Sequence, residues 1–203
     1  MCGLSGFLSL PLPRDRGRDV LERMGNKLAQ RGPDGQGFWL AEDGKVGLVH
    51  RRLEVIEPGP KGHQPMLSHS GRYVLIFNGE IYNHKELRTA LEAEGMNFRG
   101  QSDTEVLIVA LEYWGHERAL KKLVGMFAFA LWDRRKNRLL LSRDRFGEKP
   151  LYYGWQNRTF LFGSTTSALR QHPDWIGDVN REAVSLLLMH NYIPAPHSIF
   201  RGI

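Results

Sequence analysis

The chain has 203 residues, 41% of them hydrophobic and 25% charged, which is ordinary for a globular protein with a sizeable core. Its single cysteine excludes an internal disulfide framework and fits a reducing, cytoplasmic setting. The net charge of +6 invites a nucleic-acid partner, but the basic residues alternate with acids in "RDRGRD", "DRRKNR" and "RDRFGEK" and form no stripe with aromatics, so nucleic acid is discounted. A membrane is discounted too. The opening "MCGLSGFLSL" lacks the basic region of a signal peptide. No apolar run approaches the ~20 residues of a spanning helix.

In chain order, "GLSGFLSL" reads as a strand. "RGRDVLERMGNKLAQR" carries Val20, Leu21, Met24 and Leu28 at helical spacing. "RGPDGQG" is a turn region. "GFWL" and "KVGLVHRRLEVI" read as strands, and "EPGPKGHQP" as a loop. "RYVLIFNGE" is a buried strand expected to end in a turn. "NHKELRTALEAEG" is a helix with Asn83 as cap, Glu86 in the capping-box position and Gly95 as stop. "SDTEVLIVALEYWG" repeats that pattern with Ser102, Glu105 and Gly115. Short strands follow: "MFAFALWD", "RLLLSRD", "LYYGW" and "TFLFGS". In "FAFALW" both faces are apolar, so this strand is expected to be covered on both sides. Strands grouped with strands and helices with helices predict an α+β fold, antiparallel sheets with helices outside. There is no G-x-x-x-x-G-K-[ST] loop, no G-x-G-x-x-G after a strand and no paired Cys/His spacing, so neither a nucleotide nor a metal site is expected in this chain.

The lone cysteine is Cys2. A small residue after the initiator favours removal of Met1, which would leave Cys2 as N-terminus. Its α-amine, with a reference pKa of ~7.7–8.0, could then take the thiol proton, as the amine of an N-terminal Thr does. Such a catalyst needs an oxyanion hole and groups that hold the substrate. In "HRRLEVI", Arg51 and Arg52 point to opposite faces of a strand, so only one can face a pocket beside Cys2 and grip a carboxylate. Asn78-Gly79 is either a hairpin turn or a pair of N–H donors to an oxyanion. Asp103, in the first turn of a helix, either compensates the dipole or binds an ammonium. A thiol, an oxyanion hole, one cation and one anion suit an α-amino acid with a side-chain carbonyl. Glutamine fits, and glutaminase chemistry is the natural reaction.

The segments "MCGLSGF", "RGPDG", "HRRLEVIE", "HQPM", "LIFNGEIYNHKELR", "SDTEV", "GMFAFALWD", "RDRFGEKPLYY" and "RGI" span almost the whole chain. In that order they resemble the class II glutamine amidotransferase family of N-terminal-nucleophile hydrolases. "RDRFGEKPLYY" is most similar to the glutaminase half of glutamine-dependent asparagine synthetases. The resemblance implies a four-layer αββα sandwich of antiparallel sheets. It implies Cys2 as nucleophile with its own α-amine as base, and Asn78 and Gly79 as oxyanion hole. It implies Arg52 on the substrate carboxylate and Asp103 on the substrate ammonium. Backbone carbonyls near Val55 and Ile56, with Glu80, would complete the pocket. It implies glutamine as substrate and no cofactor in this chain; ATP and Mg²⁺ are expected only in a synthetase domain. That domain is the expected partner, and the resemblance also allows a homodimer.

Two departures from the family pattern stand out. "FGSTTSALR" places Ser164-Thr165 where the family usually has Ser-Glu, in a segment expected to face the partner domain. No S-G-G-x-D-S pyrophosphate loop is present. Residues 1–179 are therefore expected to be the glutaminase domain, and 180–203 a helix and lead into an absent synthetase domain. Either the chain is truncated or it is a free-standing amidotransferase. Leu186, Leu187 and Leu188 are expected to be sticky without that partner. The alternatives are an amidotransferase with another acceptor (β-lactam synthetase-like or a cell-surface polysaccharide enzyme), a non-catalytic regulatory module, and an amide hydrolase of bile-salt or penicillin type. The last is disfavoured because an Arg52/Asp103 pair selects an amino acid.

Overall fold

A computed structural model describes residues 1–57 and 59–203. The predicted loop over residues 57–65 contains Pro58, which lies outside the described residues. Among the described residues nine strands form two antiparallel sheets. The first holds β1 (Gly3–Leu8), β2 (Gly35–Leu40), β3 (Val46–Arg52), β8 (Tyr152–Gln156) and β9 (Thr159–Gly163), in the order β2-β3-β1-β9-β8. The second holds β4 (Met66–Leu67), β5 (Tyr73–Ile81), β6 (Gly125–Asp133) and β7 (Arg138–Arg143), in the order β4-β5-β6-β7. The helices are α1 (Arg14–Asn26), α2 (His84–Ala93), α3 (Asp103–Tyr113), α4 (His116–Lys122), α5 (Thr166–Leu169) and α6 (Arg181–His190).

Strand alternation sorts the core into three layers. Phe7, Val49 and Leu161 meet Val20, Leu21 and Met24 of α1 and Leu169 of α5. Leu4, Val46, Leu48 and Phe162 of the first sheet meet Val74, Ile76, Ala128 and Ala130 of the second. Leu75, Phe77, Phe127, Phe129 and Leu131 meet α2, α3 and α4. Helices, sheet, sheet and helices make the four-layer αββα sandwich expected. In β6 the bulky Phe127, Phe129 and Leu131 face the helices, and Ala128 and Ala130 face the other sheet, so the strand is buried on both sides as predicted. α3 is apolar all round because it lies deep against the second sheet. Nine of its eleven residues are buried, Asp103 among them.

Several local expectations change. β5 does not end in a turn at Asn78-Gly79. It runs to Ile81, with Asn78 opposite Ala128 and Gly79 opposite Phe127. A hairpin there would leave β6 without partners for its first residues. Asn83 stands at the N-cap position of α2, but its side chain donates to Lys122 O and accepts from Val124 N instead of capping. The long-range tie has taken the group that a local cap would use. Ser102 does cap α3, accepting from Glu105 N. Glu105 does not reach back to Ser102; its carboxylate accepts from Arg99 N and Gly100 N. β3 stops at Arg52 rather than Ile56, because residues 53–57 fold back around the Arg52 guanidinium. Of the three leucines expected to be exposed on α6, Leu187 and Leu188 are, together with Met189, while Leu186 is half-buried.

One polar tie crosses the layer between the sheets. His50, on the inner face of β3, donates Nε2–H to Phe77 O on β5 at 2.9 Å. Burial pushes its pKa down to about 3, and burial takes His172 down to about 4. Both rings are neutral in the fold, whereas an unfolded His protonates near pH 6.5. The unfolded chain therefore binds more protons below that pH, and stability falls as the pH drops from about 6.5 towards 3. Each ring contributes at most about 1.4 kcal/mol per pH unit. Melts at pH 7 and pH 5 should show a lower Tm at pH 5, and a smaller drop in a His50→Asn variant. An equal drop in the two would remove His50 from the account.

Candidate active site

The alternation that builds the inner layer also builds the site. Leu4 faces inward on β1, so Cys2, two residues earlier, faces the same way at the open end of the layer. Leu48 and His50 face inward on β3, and so does Arg52. Val74 and Ile76 face inward on β5, and so do Asn78 and Glu80. β1 and β3 are antiparallel with Gly3 opposite Arg51, which brings the start of one beside the end of the other. The three strands thus deliver a thiol, a guanidinium, an amide and a carboxylate to one mouth. Asp103 enters from the start of α3, its Oδ2 accepting from Ile81 N at 3.0 Å.

All eight sequence-predicted site residues line one cavity of about 180 Å³: Cys2, Arg52, Val55, Ile56, Asn78, Gly79, Glu80 and Asp103. That is smaller than the ~300–1,000 Å³ of sites that enclose drug-sized ligands and suits a small polar substrate. Arg51 points the other way. It donates to Gly25 O and to Asn26 Oδ1 at the end of α1, so of the adjacent pair only Arg52 serves the cavity.

Cys2 is partly buried, with Sγ 3.4 Å from the Leu53 N–H. Burial pushes its thiol pKa up. The Leu53 N–H, the N-terminal ammonium and Arg52 pull it back, and Asp103 pushes it up further. A thiol so placed needs a base to be a nucleophile near neutral pH. Met1 also lines the cavity, and while it is present the Cys2 nitrogen is an amide.

Asn78 is 1% exposed, and its Nδ2 has no hydrogen-bond partner. An orphaned buried amide donor is costly. Facing this cavity, it is an N–H group aimed where a ligand oxygen can sit. Gly79 follows on the strand. A Cβ there would lie 2.3 Å from Met126 O and 2.7 Å from Phe127 Cα. Both neighbours are backbone, so the Gly79→Ala variant must open the β5–β6 pairing. It should lose about 1–3 kcal/mol of stability or more, read as a lower midpoint in urea. An unchanged midpoint would contradict the close packing.

The Arg52 guanidinium is 3.0 Å from Glu54 Oε1 and 2.6 Å from Gly59 O, and also donates to Glu57 O. The loop wraps the cation and fixes its plane. Burial pushes the Asp103 carboxyl pKa up, opposed by the N–H groups of Ile81 and Thr104 and by His84. A cation arriving in the cavity would favour its charged form.

Sequence reading missed three contributors. Arg31 donates Nε–H to Cys2 O at 3.0 Å and so pins the residue that bears the thiol. It lies in "RGPDG", which reads locally as a turn. Gln64, 4% exposed, accepts from Phe77 N and donates to Thr104 at 3.4 Å, fastening β5 to α3 behind the cavity. Lys149 lines the cavity from the segment after β7. Ser164 is not at an outer surface: it is buried, exchanging bonds with Leu4 through its Oγ and its N–H. Among the described residues no group of three or more His, Cys, Asp or Glu is arranged to hold a metal ion, and no helix is long and apolar enough to cross a membrane.

Comparison with known proteins identifies the family. The family model described as "glutamine amidotransferase domain" matches residues 1–203. A glutamine-hydrolysing asparagine synthetase of Bacillus subtilis (strain 168) is 37% identical over 206 residues, which is 100% of this chain and 33% of the relative. A putative asparagine synthetase of Mycobacterium tuberculosis (strain H37Rv) is 35% identical over 100% of this chain and 33% of its own length. The amidase chry2 of Gibberella zeae is 34% identical over 86% of this chain and 28% of its own. The chain thus spans about a third of the length of these relatives. Among solved structures, an allosteric regulatory enzyme of purine biosynthesis superposes with a TM-score of 0.71 at 23% identity, over 84% of this chain and 43% of that one. The B. subtilis glutamine phosphoribosylpyrophosphate amidotransferase gives 0.70 at 22% identity, over 83% and 43%. The last two show the fold alone. With its whole length matched and its cavity built as described, the chain belongs to the glutamine amidotransferase domain family.

Proposed function

We propose that this chain hydrolyses glutamine to glutamate and ammonia, and that the ammonia feeds an ATP-dependent amide synthesis, that of asparagine from aspartate. The observation that carries the reading is the single cavity in which the Cys2 thiol, the orphaned Asn78 amide and the Arg52 and Asp103 charges converge. With Met1 removed, the Cys2 α-amine takes the thiol proton and the sulfur attacks the side-chain carbonyl carbon of glutamine. The carbonyl π pair moves to oxygen, where Asn78 Nδ2–H and the Gly79 N–H meet the charge. As the oxyanion collapses, the C–N bond breaks and nitrogen leaves with a proton as ammonia. A γ-glutamyl thioester remains, and water attacks it to release glutamate and the thiol. Arg52 and Asp103 hold the α-carboxylate and α-ammonium throughout, with Glu80 and the backbone at Val55 and Ile56 as the remaining wall.

ATP and Mg²⁺ belong to a synthetase part joined beyond this chain, in a cytoplasmic enzyme; residues 180–203 would lead into it. The exposed Leu187, Leu188 and Met189 of α6 suit a packed neighbour. The likeness to an amidase named chry2 favours a second reading, in which the same glutaminase serves a different acceptor. Ammonia release tests the first step. Met1-free protein should act on glutamine at least tenfold faster than on asparagine or on glutaramic acid, which lacks the α-amine. Equal rates on all three would refute an amino-acid site, and no release from glutamine would favour a non-catalytic module.

A further inference from the structure

Lys149 is 6% exposed and lines the catalytic cavity, yet it forms no ion pair among the described residues. Glu80, a carboxylate in the same wall, does not come within 4.0 Å of it. The other cation of the cavity, Arg52, already holds Glu54 and two carbonyls. An ammonium at a cavity wall with no counter-charge beside it is left without the compensation an ion pair would give. Its retention makes sense if negative charge arrives during the work of the site.

Its backbone is held firmly. Asp144 Oδ2 accepts from Lys149 N at 3.1 Å and from Phe127 N at 3.2 Å, while Oδ1 accepts from Phe146 N and Glu148 N. Arg143 donates to Lys149 O at 2.6 Å. One carboxylate thus locks the segment 144–149 onto the start of β6. Phe127 pairs with Gly79 across the ladder, so Lys149 is anchored beside the oxyanion-hole residue. Arg52, proposed to hold the α-carboxylate, comes from β3 in the other sheet. Lys149 therefore approaches the end of the substrate where charge develops rather than the end that carries the α-carboxylate.

We propose that Lys149 is an electrostatic catalytic residue of this site, its ammonium stabilising the oxyanion formed when Cys2 adds to the substrate carbonyl. The assignment rests on the glutaminase reading above. A preorganised charge that acts on the oxyanion and not on the neutral carbonyl lowers the barrier without tightening substrate binding.

The test uses the chain with Met1 removed and its Lys149→Met, Lys149→Gln and Lys149→Arg variants. In Lys149→Met and Lys149→Gln the kcat for glutamine should fall about tenfold or more, with KM within about threefold. Lys149→Arg should recover most of the rate, because it restores the charge. The γ-aldehyde analogue of glutamate, which adds the Cys2 thiol to give a tetrahedral adduct, should inhibit Lys149→Met more weakly by about the same factor as the loss in kcat. Thermal melts keep folding separate from chemistry: Lys149→Gln should melt near the parent temperature. Unchanged kcat and aldehyde inhibition in a folded Lys149→Met would overturn the assignment, and so would a KM that rises in step with the loss of rate. Those outcomes leave the glutaminase reading standing if the parent chain hydrolyses glutamine. A parent chain inert on glutamine overturns that reading, and this assignment with it.

Discussion

Replacing Asn78 by alanine is expected to lower glutamine turnover by about two to three decades while KM changes much less. Loss of one oxyanion-hole donor has that size of effect in another hydrolase. The reason to expect it here is local. The Asn78 Nδ2 is buried on the inner face of β5 with no partner in the resting protein. In the proposed reaction that N–H meets an arriving oxygen and its bond strengthens as the oxygen gains charge, so the loss should fall on kcat. Removing an unpartnered donor relieves a desolvation penalty, so Asn78→Ala should fold at least as well as the parent apart from the small void it leaves. A variant that turns over at the parent rate would remove Asn78 from the chemistry. One that simply fails to fold would show that the amide has a structural partner.

Asp103→Asn is expected to cost nearly as much in kcat/KM, through loss of the substrate ammonium's partner. Stability should hold. Asparagine keeps an oxygen for the Ile81 N–H, and the neutral side chain avoids the burial that pushes the aspartate pKa up. The lost charge–dipole interaction at the start of α3 is worth only ~0.3–1 kcal/mol. Arg52→Lys should weaken glutamine binding although charge is kept. A lysine cannot reproduce the planar fork that binds Glu54, Gly59 O and Glu57 O, nor the bidentate grip proposed for the substrate carboxylate. Arg51→Lys is the control. Its contacts are to the end of α1 on the far side of the sheet, so it should leave the kinetics unchanged and affect stability slightly. Steady-state kinetics and a melt on each variant decide the matter. Damage at Arg51, or loss of both stability and activity in Asp103→Asn, would contradict the placement of the cavity.

Much of this site was legible because strand alternation is legible. Within β3 a period of two says that only one of Arg51 and Arg52 can face a pocket beside Cys2; that it is Arg52, and that Asn78 faces the same pocket, followed from the resemblance to the amidotransferase family. The apolar residues on both faces of Phe127, Ala128, Phe129 and Ala130 likewise announced a strand covered on both sides. What was not legible depends on contacts between distant segments. Asn78-Gly79 reads locally as a hairpin, and only the opposing Ala128 and Phe127 hold it extended. Asn83 reads as a cap until Lys122 and Val124 claim its side chain. Arg31 sits in a turn motif, and nothing near it in sequence shows that it reaches back to Cys2 O. Lys149 lies in a charged segment that reads as solvated surface, until the Asp144 carboxylate folds it against β6.

The central claim is that the Cys2 thiol, freed of Met1, attacks glutamine. The most direct test is ammonia release from glutamine by protein whose intact mass shows Met1 absent, alongside a Cys2→Ser variant processed in the same way. The parent should release one ammonia per glutamate formed. A rapid quench should catch part of the protein heavier by one γ-glutamyl group, the added mass mapping to the N-terminal peptide, and Cys2→Ser should show little or no ammonia release. Met1-free parent protein that releases no ammonia, or a Cys2→Ser variant that matches the parent rate, would contradict the account.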